Sequence, residues 1–274
     1  MDHGNSSAPC QSALLRQAKA GVKSVIAVGS GKGGVGKSSL ASMIAIALAR
    51  DGKKVGILDA DITGPSIPKL LGVSGQPYGT EKGIMPLTSP LLGIKVMSIN
   101  LLLEDPSKPV IWRGPLIGGV IKQFWEEVDW GELDHLIVDL PPGTADAPLT
   151  VMQTIKLDGF ILVTSPQELS VLVVEKAAHM TQMLNVPLLG VVENMSYTAC
   201  PHCGERIDIF GPSHVNEIGT KFKVPVLGQV PLDPALATLA DAGDLEKYDN
   251  RGVFDPLLEG IYCSLQKVSA THRV

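Results

Sequence analysis

Apolar and polar positions follow one another along this chain in blocks that predict alternating strands and helices. The apolar runs are short, continuous and rich in Val, Ile and Leu, which is typical of strands buried on both faces. Such strands are predicted at residues 24–30, 54–61, 94–100, 135–143, 159–166, 186–195 and 224–233. Helical patterns are predicted at residues 12–21, 38–52, 115–128, 168–184 and 213–222.

This order of elements predicts a single-domain α/β fold with a mostly parallel sheet and helices on both of its faces. We place the domain at residues 21–268, between a flexible tail with a helix start at 1–20 and a C-terminal tail at 269–274. A last helix has an apolar stripe from Phe254 to Val268 and few basic residues. That pattern favours a helix packed on the sheet over one lying on a membrane.

Composition and charge narrow the classes of partner. The 274 residues include 23 basic and 28 acidic side chains, so the net charge is −5. This balance disfavours non-specific binding to nucleic acid or to anionic lipid, and we expect neither as a partner. No apolar run reaches the roughly 18 residues of a membrane span, and no secretory pattern is visible at the N-terminus. A cytoplasmic location is therefore expected.

The segment GKGGVGKS, residues 31–38, lies between the first predicted strand and the first long helix. It matches the phosphate-loop pattern in full. Its glycines let successive N–H groups face phosphate oxygens, and the helix N-terminus adds its dipole. Lys37 would reach the β- and γ-phosphates, and the Ser38 hydroxyl would bind Mg²⁺. The predicted nucleotide-binding residues of this loop are Gly31, Lys32, Gly33, Gly34, Val35, Gly36, Lys37, Ser38 and Ser39.

Carboxylates end two of the predicted strands. Asp59 and Asp61 close the second strand, and Asp139 closes the strand HLIVD. A single aspartate at a strand end commonly caps a turn. Because the carboxyl ends of parallel strands meet at one edge, these side chains are expected beside the phosphate loop. Asp139 then has the position of the carboxylate that holds Mg²⁺ directly or through water.

Cys200 and Cys203 form a C-x-x-C pair on a predicted turn, whereas Cys10 and Cys263 are isolated. A structural zinc site would need more ligands, from His202 or His214. A thioredoxin-like redox pair would need a following helix, which GERIDIFG does not resemble. A third interpretation is that the two cysteines have this spacing by coincidence. In a fourth, two chains related by a two-fold axis supply four thiolates, which is the ligand set of a [4Fe–4S] cluster or of zinc.

The loop with its additional lysine, Lys32, resembles the deviant Walker A loop of the MinD/ParA/nitrogenase-iron-protein class of P-loop ATPases. Within that class, the chain resembles the Mrp/ApbC family of iron–sulfur cluster carriers over about residues 20–265. The motifs that carry this resemblance are GSGKGGVGKSS, LDADITGPSIPKLLG, PVIWRGP, DLPPGT and CPHCG.

The resemblance implies catalytic roles for Lys32, Lys37, Asp61 and Asp139. Lys32 is expected to cross a dimer interface and contact the partner's nucleotide phosphates, where a second cation neutralises developing charge. Asp61 matches an aspartate that orients or deprotonates the attacking water. Asp139 matches the switch II aspartate, and Gly143 matches the residue through which the γ-phosphate moves that loop.

The resemblance also implies contacts with the base and with the cluster. Asn194 matches an asparagine that recognises the adenine edge, and Pro231 and Asp233 lie where the class encloses the base. Cys200 and Cys203 match the pair that bridges a labile cluster across a dimer.

Together these features predict a homodimeric, Mg²⁺-dependent ATPase of slow turnover that transfers a [4Fe–4S] cluster to apo-proteins. Zinc is a possible occupant of the same thiolates. The alternative is a MinD/ParA-type positioning or partitioning ATPase that acts on a membrane or on DNA. A third candidate is a kinase or small-molecule ligase on the same scaffold.

Overall fold

The buried Val, Ile and Leu runs form the strands of the fold. The computed structural model describes residues 21–62, 64–102, 114–144, 146–166 and 171–271. In these ranges the strands are β1 Val25–Ser30, β2 Val55–Asp59, β3 Tyr78–Thr80, β4 Gly83–Met85, β5 Leu87–Thr88, β6 Lys95–Ser98, β7 His135–Asp139, β8 Gly159–Thr164, β9 Leu188–Glu193, β10 Thr198–Ala199, β11 Arg206–Ile207 and β12 Val226–Gln229.

The helices lie mainly between these strands. In the same ranges they are α1 Lys37–Arg50, α2 Ile67–Leu70, α3 Gly114–Glu127, α4 Asp146–Thr154, α5 Val171–Met183, α6 Val215–Phe222, α7 Pro234–Ala242 and α8 Arg251–Thr271. Within the described chain, no helix is both long and apolar enough to span a bilayer.

The main sheet of the described chain has eight strands in the order β12-β9-β8-β1-β7-β2-β6-β5. All neighbours pair in parallel except β5, which runs antiparallel to β6 at one edge. The central strand β1 pairs with β7 and β8, so that Val28 lies opposite both Asp139 and Ile161. The predicted mostly parallel sheet is confirmed.

Side chains of one strand enter two different cores. On β1, Ile26 and Val28 belong to a cluster with residues of α1, α2, α7 and α8. Val25 and Ala27 belong to a second cluster with residues of α3, α4, α5 and α6. Successive strand residues point to opposite faces, so the sheet is covered by helices on both sides, as predicted.

Most differences from the predicted elements lie at the carboxyl ends of strands. The predicted strands 135–143, 186–195 and 224–233 end at Asp139, Glu193 and Gln229. Pro141 and Pro142 follow β7, and proline cannot supply a ladder hydrogen bond. The chain leaves the sheet at these ends to form the loops of the site.

Several short elements were not predicted, namely helices α2, α4 and α7 and strands β3, β4 and β5. Helix α8 runs past Val268 to Thr271. The predicted tail at 1–20 with its helix start, the first residues of the predicted helix 168–184, and most of the motif PVIWRGP lie outside the described residues.

Candidate functional site

The phosphate loop connects β1 to α1 at the edge where the predicted aspartates also lie. Gly36 is the N-cap of α1 with φ +74°, and Gly34 has φ +88°. These left-handed values favour glycine at both positions. A Cβ on Gly36 would lie 2.3 Å from Nδ2 of Asn194, so the loop and Asn194 pack too closely for a side chain there.

Lys37 is buried at the start of α1 and faces two carboxylates. Its Nζ lies 2.6 Å from Oδ1 of Asp139 and 3.9 Å from Oδ2 of Asp61. The same ammonium donates to Oγ of Ser38 at 3.2 Å. Four residues that were predicted separately therefore form one cluster.

Asp139 has the chemistry of a cation ligand. Its side chain is fully buried, and its Oδ2 has no hydrogen-bond partner among the described residues. Burial raises the pKa of this carboxyl, although the charge of Lys37 opposes the shift. Mg²⁺ prefers carboxylate and hydroxyl oxygens, so Asp139 and Ser38 fit such an ion.

Asp59 lies beside this cluster on the neighbouring strand and has a structural role. Its Oδ2 accepts hydrogen bonds from the backbone N–H of Ser66 at 3.0 Å and of Ile67 at 3.2 Å, and from the hydroxyl of Ser98 at 3.2 Å. It lies opposite Asp139 in the β2–β7 pairing. Burial, followed by the charge of Asp139, raises the pKa of Asp59 to about 8.

The loop after β7 is tied to the strand that precedes the phosphate loop. Gly143, with φ +97°, donates its N–H to the carbonyl oxygen of Ser30 at 2.9 Å. The Ser30 hydroxyl in turn donates to the carbonyl oxygen of Lys32 at 2.9 Å. Lys32 itself is exposed.

An apolar pocket of about 280 Å³ opens beside the loop, and it contains the residues predicted for the base. Asn194 lines it and donates from Nδ2 to the carbonyl oxygen of Val35 at 2.8 Å. Asp233 also lines it, while capping α7 by accepting from the N–H of Ala235 at 2.8 Å. Further lining residues include Ser39, Met43, Met195, Pro231, Leu232 and Leu236. Met195, Leu232 and Leu236 were missed because an isolated apolar residue has no distinguishing motif.

The cysteine pair lies at the tip of a hairpin formed by β10 and β11. Cys200 donates its N–H to the carbonyl oxygen of Glu205 at 2.8 Å, and Gly204 donates to that of Cys200 at 2.8 Å. Cys200 is half-buried and Cys203 is exposed. Hydrogen bonds from the N–H groups of Cys203 and His202 lower the pKa of the Cys200 thiol.

The structure of the hairpin bears on the alternative functions that were considered for this cysteine pair. Strand β11 follows the cysteines, so the helix that a thioredoxin-like site would need is absent from residues 204–211. Within the described chain, no three His, Cys, Asp or Glu side chains are grouped so that they could hold a metal ion. The described part of one chain therefore supplies two thiolates, which is half of the four ligands of a tetrahedral sulfur site.

The sequence was compared with protein families and with individual relatives. Residues 21–257 match the model of the ParA family, described as NUBPL iron-transfer P-loop NTPase. An iron–sulfur cluster carrier protein from Methanocaldococcus jannaschii is 49% identical over 235 residues, which are 85% of this chain and 81% of that protein. The cytosolic Fe–S cluster assembly factor CFD1 from Kluyveromyces lactis is 42% identical over 227 residues, 80% of each chain.

Solved structures agree with the fold. A nucleotide-binding protein from Archaeoglobus fulgidus, determined in complex with ADP, has a TM-score of 0.77 and 47% identity over 84% of this chain and 90% of its own. The cell division ATPase MinD from Pyrococcus furiosus has a TM-score of 0.59 at 20% identity over 88% of this chain and 99% of its own, which supports the fold alone.

Proposed function

This chain belongs to the ParA family, described as NUBPL iron-transfer P-loop NTPase, and on that premise we propose that it is an ATP-dependent iron–sulfur cluster carrier. Two copies would hold one [4Fe–4S] cluster between them and deliver it to apo-proteins. Its relatives named as iron–sulfur cluster carriers support the cargo, and the phosphate loop supports the nucleotide.

The observation that carries the proposal is the pair of thiols at the exposed tip of the hairpin. Cys203 is exposed and Cys200 is half-buried, and residues 201–210 are all exposed. A [4Fe–4S] cluster takes four thiolates. A two-fold axis through the hairpin tips supplies four, because each chain contributes the same two residues. A cluster held at an exposed, shared site is also accessible to a recipient protein.

The cluster around Lys37 supports hydrolysis of ATP. Lys37 would neutralise the β- and γ-phosphates, while Ser38 and Asp139 would hold Mg²⁺. The magnesium ion, when bound, supplies charge stabilisation to the transferred phosphoryl group. Asp61, 3.9 Å from Lys37 Nζ, would orient the attacking water. Lys32 of the second copy would add the remaining positive charge, and its exposure supports that role.

Slow turnover suits a carrier that uses ATP as a switch. Gly143 N–H reaches Ser30 at the base of the phosphate loop, so a γ-phosphate that recruits Gly143 would move the loop after β7. Completion of the catalytic site only in the closed dimer would limit hydrolysis by single chains. We place the protein in the cytoplasm, where its CFD1 relative is named as cytosolic.

Anaerobic reconstitution with iron and sulfide tests the proposal. We expect about four irons per dimer, with the broad visible absorbance of a [4Fe–4S] cluster. Cys203→Ala should lose both the iron and the absorbance, whereas Cys263→Ala should keep them, since Cys263 is an exposed thiol on α8. A dimer that holds zinc but never iron, or a Cys203→Ala variant that reconstitutes normally, would contradict the proposal.

A positioning or partitioning ATPase is the alternative function, and the same experiment addresses it. Proteins of that kind have no need of a thiolate pair. ATP-dependent recruitment to anionic vesicles or to DNA, together with failure to bind iron, would favour the alternative.

A further inference from the structure

The base pocket and the cysteine hairpin are built on the same two segments of chain. Residues 193–198 run from the end of β9 into the hairpin, and residues 229–233 run beside them from the end of β12. Backbone hydrogen bonds join the segments: Val230 N–H donates to Glu193 at 2.9 Å, Ser196 N–H to Val230 at 2.9 Å, and Leu232 N–H to Tyr197 at 2.6 Å. A shift of either segment therefore moves both sites.

One end of this pair of segments contacts the phosphate loop. Asn194 is hydrogen-bonded to Val35, and Gly36 lies directly against it. The next residue, Met195, has φ +55° although it is not glycine. Such a backbone is strained by about 1 kcal/mol or more and persists only where its surroundings hold it. The strain therefore lies at a residue that lines the base pocket, on the segment that leads to the hairpin.

Both segments are contacted by Arg206, the first residue of β11. Its guanidinium lies 4.3 Å from the centroid of the Tyr197 ring. Its Nη1 donates to Oε1 of Gln229 at 3.1 Å, and its Nε pairs with Oδ1 of Asp208 at 2.7 Å. This one side chain thus connects β11 to both segments below the hairpin.

The connection continues inward to a buried carboxylate. Gln229 donates from Nε2 to Oε2 of Glu193 at 2.8 Å, and Ser196 donates to the same oxygen. Glu193 is fully buried, and its Oε1 has no hydrogen-bond partner among the described residues. Oε1 is therefore available to accept a hydrogen bond from Gln229 or Ser196 if either side chain moves. Glu193 immediately precedes Asn194 of the base pocket.

We infer that Arg206 is a positioning residue that couples occupation of the nucleotide site to the exposure and geometry of Cys200 and Cys203, through Gln229 and Glu193. A nucleotide that draws on Asn194 changes the position of residues 193–198. Arg206 converts that change into a movement of the hairpin, because it holds β11 to Tyr197 and Gln229. Coupling of this kind is reciprocal, so ligation of the cysteines changes nucleotide affinity by the same factor.

This inference rests on the proposed nucleotide and cluster sites, but its test needs no cluster. The rate at which a small alkylating reagent modifies Cys203 is measured by mass spectrometry with and without saturating ADP. Cys263 on α8 serves as the reference thiol in the same sample. We expect bound ADP to change the Cys203 rate relative to that of Cys263 by about fivefold or more.

The variants assign that effect to Arg206. Arg206→Met keeps an unbranched aliphatic side chain but removes its hydrogen bonds and charge, so the nucleotide effect on Cys203 should fall towards onefold. Arg206→Lys keeps the cation over Tyr197 and should retain part of the effect. Arg251→Met, at the exposed start of α8, is the matched control and should behave as wild type. ADP affinity should be measured for each variant so that saturation is established.

Two outcomes overturn the inference. One is a wild-type Cys203 rate that does not respond to bound ADP. The other is an Arg206→Met variant that binds ADP and keeps the full response. Neither result would contradict the proposed binding of iron by the cysteines, which is tested separately. Conversely, a responsive Cys203 in a chain that never takes up iron supports the coupling and contradicts the carrier function.

Discussion

Lys37 Nζ lies 2.6 Å from Oδ1 of Asp139, and both side chains are buried. The lysine that the loop pattern assigns to phosphate is thus paired with the carboxylate assigned to Mg²⁺. A phosphate bound in the loop would compete with Asp139 for this ammonium, and a bound cation would compete with Lys37 for the carboxylate. On the proposed function, nucleotide and magnesium would therefore change the same ion pair from its two sides.

Replacing Lys37 should affect stability as well as binding. Lys37→Met leaves the Asp139 carboxylate buried without its cation, so the free energy of unfolding should fall by about 3–5 kcal/mol. Lys37→Met/Asp139→Asn should recover much of that loss while still failing to bind ATP. Urea unfolding and nucleotide titration measure the two effects. Unchanged stability of the single variant would contradict a structural role for the ion pair.

Gly36 and Asn194 should show a strong interaction in a double-mutant cycle. Both glycines have a left-handed backbone, but a Cβ on Gly36 would lie 2.3 Å from Asn194 Nδ2, whereas a Cβ on Gly34 would meet nothing within 4 Å. Gly36→Ala should therefore be less stable than Gly34→Ala by about 1 kcal/mol or more. Adding Asn194→Ala should restore part of the loss. Strict additivity of the two changes, measured by chemical unfolding, would argue against the close contact.

The pH dependence of stability should reveal Asp59. Its pKa is raised from 3.8 to about 8 by burial and by the charge of Asp139. Between these values the native state binds more protons than the unfolded state, so the free energy of unfolding falls as pH rises. The slope is at most about 1.4 kcal/mol per pH unit for one proton. Asp59→Asn should flatten this slope, and an unchanged slope in unfolding curves from pH 5 to 8 would exclude Asp59 as its source.

Lys32→Ala should separate nucleotide binding from dimer closure. Because the proposed contact is with the nucleotide of a second copy, removal of Lys32 should leave the nucleotide affinity of a single chain near wild type. If Lys32 completes the site of a second copy, ATP-dependent dimerisation and hydrolysis should fall by about tenfold or more. Analytical ultracentrifugation with ATP and a phosphate-release assay test this. Wild-type behaviour in both would remove the proposed contact between chains.

Asp233 should contribute mainly through the start of α7. Its carboxylate accepts from the N–H of Ala235 and from the hydroxyl of Tyr248, each at 2.8 Å. Asp233→Ala should lower the free energy of unfolding by about 1–2 kcal/mol. Asp233→Asn keeps a capping side chain and should lose less. If adenine affinity falls equally in both variants while stability does not, Asp233 instead acts on the base.

Periodicity and motif spacing were sufficient for the main architecture. Continuous apolar runs such as VIAVGS specify strands buried on both faces, and helical patterns between them require parallel pairing. The phosphate loop was recognisable because its glycines and Lys37 are close together in the sequence. One short segment therefore specifies both the turn of the backbone and the cation that binds phosphate. Short elements such as α2 and β5 have too few residues to show a period, so they were not predicted.

Residues far apart in the chain acquired their relationships only on folding. The pattern ILDAD does not distinguish Asp59 from Asp61, but pairing with β6 and contact with α2 surround Asp59 with donors and direct Asp61 towards Lys37. Likewise, no spacing connects Arg206 to Gln229 and Glu193. Residues that are neighbours in the sequence determine local features such as the phosphate loop. The burial of a side chain, its hydrogen-bond partners and the charges around it depend instead on which strand ends the sheet order brings together.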